Sequence, residues 1–482
     1  MLLYIRKDVI QMAANRMKLT FFDDFWVDFR PGTTRRWFQP ELYSIVPDTG
    51  CYGALIYDPE LKRYRIYHET MIKVCEDGPR QLKMVESEDL LHWTVVTNDE
   101  GGDVLFQGDG GVHGSSVLYD PHDPDPSRRY KYCGMTNMGT ERGANHPVNL
   151  AFSADGIHWD NHPELVANPF TSDAHNKLFY NPCSGEYNLL HRSAYVDRRV
   201  FIRSSKDLVN WSEPRVLLHP AGVYNDEHTE MQHYSMTAGW FDGIFYGMVW
   251  RYITELKSTD FTDTSKMFGY MEPELVYSYD GKEFLYSSGK SLVERPMAPT
   301  PGWAGMEPTD MCESTDGQHY YLLFGGCMYV HGTAESNQHL HDKAVEKGYQ
   351  PAELVYRIRK DGFCGLEAVG KGTVVTKGMA FLKDDLTFNL RADCGMVRFG
   401  LMNKKGEYIE GFSLDDCIPF EFDQGIEVKP QWKEHQLSEV LNQQVRVVIE
   451  LNGAVLHAMS ATAQPYIVQR QKSFADPQGI FE

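Results

Sequence analysis

The chain has no run of about twenty apolar residues, so no membrane-spanning helix is expected. Cysteine is sparse and unpatterned. Nine residues (Cys51, Cys75, Cys133, Cys183, Cys312, Cys327, Cys364, Cys394 and Cys417) are scattered over 482 positions. The count is odd and no CxxC or knuckle spacing occurs, so neither a disulfide framework nor a zinc module is suggested. Basic charge is in short supply: 47 Lys and Arg stand against 67 Asp and Glu, a formal net charge of −20. Nucleic acid and anionic membranes would be repelled, so neither is expected as a partner, and a neutral substrate fits. The first residues, "MLLYIRKDVIQMAANRMKL", are broken by charges and lack the apolar core of a secretory signal. A cytoplasmic location is the expectation that follows.

What is present is strand-forming material. The chain is 42% hydrophobic and 13% aromatic, enough for a sizeable core, and its Tyr, Phe, Val and Gly suit strands joined by tight turns. Four segments share one signature: "MVESEDLLHWT" (84–94), "LAFSADGIHWD" (150–160), "FIRSSKDLVNWS" (201–212) and "LVYSYDGKEFLY" (275–286). Each is an apolar strand, a Ser, an Asp-centred turn and a Trp or Phe. "LVYRIRKDGFCGLEA" (354–368) is a fifth, degenerate copy. Ahead of every copy lies another hairpin, such as "YGALIYDPELKRYRIYHET" or "NKLFYNPCSGEYNLLHRS". Two hairpins make a four-stranded blade, and five units predict a five-bladed β-propeller. Stacked sandwiches with coincident turns are the competing arrangement, but five copies in one order argue against it.

Beyond Phe363 the signature stops. Short alternating runs ("LTFNLRAD", "MVRFGLMN", "VRVVIEL") predict a C-terminal β-sandwich. The expected layout is all-β: an N-terminal extension over 1–20, a propeller over 21–361 and the sandwich over 362–482. Trp432 is a candidate for a homo-oligomer contact or for a core position.

In a propeller the innermost strands surround a central channel, and residues at their leading ends converge there. Each predicted inner strand is preceded by a polar cluster: "VPDTGCYG" (Asp48), "GDGGVHGSS" (Asp109, His113), "SDAHN" (Asp173, His175), "DEHTEMQHYS" (Asp226, Glu227, His228, Glu230, His233) and "GMEPTDM" (Glu307, Asp310). Several carboxyls in one cleft suit glycosidic cleavage, where one must stay protonated and another ionised. Crowding drives such a split, since like charges raise one partner's pKa. Asp173, Glu230 and Glu307 are the candidate catalytic set. His113, His175, His233, Asp310, Asp48 and Arg192 are candidate sugar-binding groups, and Trp303 is placed to stack on a sugar face. Plainer roles compete: Asp173 as a turn cap, Glu230 in a solvated charge run, Asp48 in a Pro-Asp-Thr-Gly turn, the histidines as core hydrogen-bonders. Asp58, Asp120 and Asp155 read as peripheral turn residues.

Five blades, inner-strand acids and an appended β-sandwich resemble the arabinanase, levansucrase and invertase superfamily, with a layout similar to glycoside hydrolase families 32 and 43. "YSYDGKEF", "FSADGIHWD" and "SSKDLVNW" look like the blade motifs of that group. The resemblance implies a glycoside hydrolase acting on a small furanoside or related oligosaccharide, with no cofactor. No EF-hand-like loop for calcium occurs. The Asn-Asp-Pro-Asn-Gly, Arg-Asp-Pro and Glu-Cys motifs of family 32 are absent: Asp58-Pro59 falls in a peripheral turn and Cys312 in Met-Cys-Glu. Roles among the three carboxylates therefore stay unassigned. A phosphorylase, drawing on Arg192 and Arg251 to hold phosphate, and a carbohydrate-binding propeller without catalysis are the alternatives.

Overall fold

A computed structural model describes residues 16–50, 52–70, 80–137, 147–169, 172, 174–192, 198–218, 229–255, 268–331 and 338–466. The described residues open with three short strands, β1 (Met17–Thr20), β2 (Val27–Phe29) and β3 (Thr34–Trp37), followed by β4 (Glu41–Val46). Four blades then follow in chain order. Blade one is β5–β8 (Gly53–Asp58, Arg63–Glu69, Leu82–Ser87, Thr94–Val95), and blade two is β9–β12 (His113–Tyr119, Tyr130–Met135, Val148–Ser153, Asp160–Asn168). Blade three is β13–β16 (Lys177–Asn181, Glu186–Arg192, Val200–Ser205, Arg215–Leu218), and blade four is β17–β20 (Thr229–Trp240, Phe245–Glu255, Phe268–Ser278, Leu285–Tyr286). Blade five has β21 (Gly305–Glu313), β22 (His319–Cys327) and β23 (Ala352–Arg359), with helix α1 (Gln338–Glu346) between the last two. Its outermost strand is β4, from the far end of the sequence. The ring is thus closed by the N-terminal segment. Blades one to four are antiparallel meanders, as the hairpin order predicts; blade five is antiparallel too, but β4 replaces the strand expected from its last hairpin.

The repeated Ser-x-Asp signature is the turn between the third and fourth strands. In blade four, the Ser278 Oγ accepts the N–H groups of Asp280 and Gly281, while Asp280 Oδ1 accepts those of Lys282 and Glu283. Ser87/Asp89, Ser153/Asp155 and Ser205/Asp207 repeat this bonding. The fifth copy is degenerate for a topological reason. After β23 the chain leaves the propeller, so no such turn is needed, and β4 takes the fourth place. Asp58 and Asp120 cap peripheral turns as expected, accepting N–H groups two residues on.

Blades are buried on both faces, and five apolar clusters fill the wedges between them. Ile56 and Tyr67 of blade one meet Val117 and Tyr132 of blade two, for example, and Leu55 and Ile66 meet Leu323 and Val355 of blade five. Double-sided burial explains why inner segments such as "GALIY" read as continuous apolar runs rather than alternating ones.

The remaining strands are β24 (Cys364–Thr376), β25 (Met379–Phe381), β26 (Thr387–Arg391), β27 (Met396–Met402), β28 (Phe420–Glu421), β29 (Gln424–Val428), β30 (Gln444–Ala461) and β31 (Ala463–Pro465). Where alternation predicts two stacked sheets, the hydrogen bonds link one eleven-stranded sheet. It curls around the 18-residue β30, which carries β24 and β1 on one edge and β27 and β26 on the other. Residues 17–37, expected as extension and propeller, supply three strands of this sheet. Trp432 is buried in its core and donates to the Phe399 carbonyl. At the junction, the buried Asp361 accepts from Lys18 of β1 (3.2 Å) and from the hydroxyls of Tyr246 and Tyr320 (both 2.9 Å).

Candidate active site at the mouth of the propeller

The five inner strands are β5, β9, β13, β17 and β21. Trp250 of β18 lies among them: its ring stacks on Tyr52, His175 and Tyr234 at 5.6, 5.8 and 5.9 Å, and its N–H donates to the Pro308 carbonyl. One side chain thus touches blades one, three, four and five, and the rings close the axis. A second cross-link is ionic. Lys177 of β13 meets Asp310 of β21 at 2.7 Å, and the other Asp310 oxygen accepts the Leu55 N–H. Asp310, expected to hold sugar, is therefore held by the scaffold. Burial raises its pKa and Lys177 pulls it back.

Around this plug lies a polar ring. Glu69 ends β6 and is fully buried. Its Oε1 accepts the Ser115 N–H at 2.8 Å, and its Oε2 lies 3.3 Å from His113 Nδ1 and 3.4 Å from an Arg80 nitrogen. Burial opposes its charge, but His113, Arg80 and the Ser115 N–H outweigh burial and hold it below the usual range. His113 is pushed down by burial and by Arg80. Further round, the guanidinium of Arg192 lies 4.5 Å from the Tyr234 ring, and that of Arg198 lies 5.0 Å from Tyr252. His331 completes the arc, its two nitrogens 3.4 and 3.0 Å from the Tyr234 and Tyr252 hydroxyls.

Glu307 enters this ring from β21. It is 7% exposed; one oxygen accepts the Cys327 thiol at 3.3 Å, and Oε2 has no partner among the described residues. Burial pushes its pKa up to about 7, with Arg80 pulling it down and Glu69 pushing it up. A carboxylic acid that keeps its proton near neutrality beside an ionised carboxylate is the split that proton donation to a leaving group requires.

The other expected residues are placed as follows. Asp173 lies outside the described residues, as do Asp226, Glu227 and His228. Glu230 lies near the start of β17, opposite Thr254, and its side chain is outside the described part. His113 and Arg192 are in the ring. His175 is fully buried in the ring stack, its Nε2 3.3 Å from the Gly53 carbonyl, and burial pushes it down to about 3. His233 is also fully buried, with the Tyr286 hydroxyl 3.1 Å from its Nε2. Asp48 is exposed in a turn at φ 59°. Trp303 sits in the loop before β21, half-buried, its carbonyl accepting from Arg295. Arg251 faces Glu274 at 3.6 Å.

Sequence reasoning missed Glu69, Arg80, Arg198 and the aromatic plug. A signal existed for Glu69: it ends the second strand of blade one, as Arg192 ends that of blade three.

No family model and no curated protein matches the chain. Solved structures similar to it include an exo-inulinase from Aspergillus awamori (9% identity, 88% of this chain and 99% of that one, TM-score 0.41). An α-L-arabinofuranosidase from Fusarium graminearum matches at 10% identity over 68% of this chain and 99% of that one, TM-score 0.40. An N-acetylgalactosamine deacetylase from F. plautii matches at 11% over 69% and 97%, TM-score 0.41.

Proposed function

We propose that the chain is a glycoside hydrolase that cleaves a small furanoside or related oligosaccharide at the propeller mouth. The observation that carries this reading is Glu307: a buried carboxyl, pushed toward holding its proton near neutrality, whose Oε2 has no partner among the described residues. Glu307 gives its proton to the leaving oxygen as the glycosidic bond breaks. The second carboxylate, activating water or attacking the sugar carbon, comes from Glu230 or Asp173. Glu69 is fully buried and bonded at both oxygens, which suits it to positioning Arg80 and His113 rather than to touching substrate.

The test is a panel of furanoside and pyranoside oligosaccharides, with and without phosphate, on the wild type and on Glu307→Gln, Glu230→Gln and Asp173→Asn. Glu307→Gln is expected to lower kcat about 10²–10⁴-fold on sugars with poor leaving groups and far less on activated aryl glycosides. Wild-type activity should fall as pH rises through about 7, where Glu307 loses the proton it must give. Phosphorolysis is a second reading, favoured by Arg80, Arg192 and Arg198 gathering along one arc; turnover only with phosphate would establish it. No turnover on any sugar, with binding kept in every variant, would leave a carbohydrate-binding propeller.

A further inference from the structure

A second carboxyl lies behind Glu307. In blade five, Glu307 of β21 is in register with Gly325 of β22, and Gly325 is in register on its other edge with Glu353 of β23. Register partners on neighbouring strands project to the same face. Two strand spacings, about 9–10 Å, separate the two glutamate backbones, a gap that two such side chains span. The residue between them has no side chain to intervene. Glu353 is fully buried, and neither of its oxygens has a partner among the described residues. Its backbone N–H donates to Thr49 Oγ1 at 2.8 Å, fixing it to the segment that enters blade one. Buried polar atoms are rarely left unmet, and here the unmet oxygens belong to two carboxyls on one face of one sheet.

We propose that Glu353 is a positioning residue for the proton donor: it keeps its own proton and points that O–H at Glu307. The inference rests on Glu307 being the donor, as proposed above. When Glu307 passes its proton to the leaving oxygen and the C–O bond breaks with its electron pair, a carboxylate is left in a buried site. The Glu353 O–H then donates a hydrogen bond to it without transferring its proton, and Glu307 recovers a proton from the water consumed. Burial pushes Glu353 well above the ordinary carboxyl range, and charge on Glu307 pushes it further. The groups acting on Glu307 are the Cys327 thiol of β22, Arg80 before β7 and Glu69 of β6. On Glu353 it is Glu307 alone among the described residues.

The experiment is an infrared pH titration of the intact protein, following the C=O stretch of protonated carboxyls, with Glu307→Gln identifying the Glu307 component. In Glu353→Leu the Glu307 midpoint should rise by about one to two pH units, the equivalent of one lost hydrogen bond to a charged group. Glu353→Gln, whose amide also donates, should restore it to near the wild-type value. An unchanged midpoint in Glu353→Leu overturns the proposal. If that variant does not fold, the wild type decides: a protonated-carboxyl band that persists above the Glu307 midpoint and vanishes in Glu353→Gln supports the pair, and its absence refutes it. The titration uses no substrate, so a protein without turnover on sugars would count against the hydrolase reading and leave the Glu307–Glu353 pair to be judged on its own.

Discussion

Replacing Glu307 by Gln should stabilise the protein at high pH and not at low pH. A carboxyl whose folded-state pKa rises from an ordinary 4.5 to about 7 carries a penalty on its charged form in the folded state only. Below the unfolded pKa both states are protonated and no penalty exists. As pH climbs, the unfolded chain ionises first, and the folded state loses ground until pH passes about 7. The rise corresponds to about 3 kcal/mol at roughly 1.4 kcal/mol per pH unit. The buried amide of Gln has its own desolvation cost, but that cost does not depend on pH. The quantity to measure is therefore the change, between pH 4.5 and 8, in the stability difference of variant and wild type. Urea denaturation followed by tryptophan fluorescence at several pH values supplies it. The difference should grow in favour of Glu307→Gln by about 3 kcal/mol, most steeply between pH 5 and 7. A flat difference would show that Glu307 ionises normally in the folded protein, and the proton-donor role would fall with it.

Three further outcomes follow from the scaffold. Lys177→Met leaves Asp310 buried without its cation and should cost about 3–5 kcal/mol at pH 7. The cost should shrink toward acid pH as Asp310 takes up a proton, and adding Asp310→Asn should recover most of it; equal loss at all pH values would mean the pair is not ionic. Ser278→Ala strips the buried Gly281 N–H of its acceptor and should cost about 1–2 kcal/mol in thermal or urea melts. An effect within error would make the repeated turn ornamental. Asp361→Leu leaves two tyrosine hydroxyls unmet at the junction and takes from Lys18 its nearest carboxylate, leaving it the Phe241 carbonyl, so proteolysis should cut the C-terminal sheet before the propeller; simultaneous loss of both would indicate a junction held by other contacts.

The blades were legible because they are local. Among the described residues the side chains of Ser278 and Asp280, or of Ser153 and Asp155, bond only to residues within three positions, so the same letters recur wherever the same turn is built. The polar clusters ahead of the inner strands were legible for a related reason: a charge next to an apolar run stands out. Glu307, His113 and Arg192 were reachable that way. His175, His233 and Asp310 gave the same signal, yet the first two are enclosed in the core and the third is taken by Lys177. A histidine at a strand end looks alike in sequence whether it faces the mouth or packs against Trp250.

Taken alone, the sequence determined the number of blades and the hairpin order of the first four, since each depends on contacts a few residues apart. Tertiary structure decided the rest. It brought β4 across more than three hundred residues to complete blade five, drew β1, β2 and β3 into the C-terminal sheet, and set Glu353 beside Glu307 across Gly325. It also decided which carboxyl is pushed toward holding its proton near neutrality. That depends on burial and on the charges nearby, and those neighbours come from blades far apart in the chain.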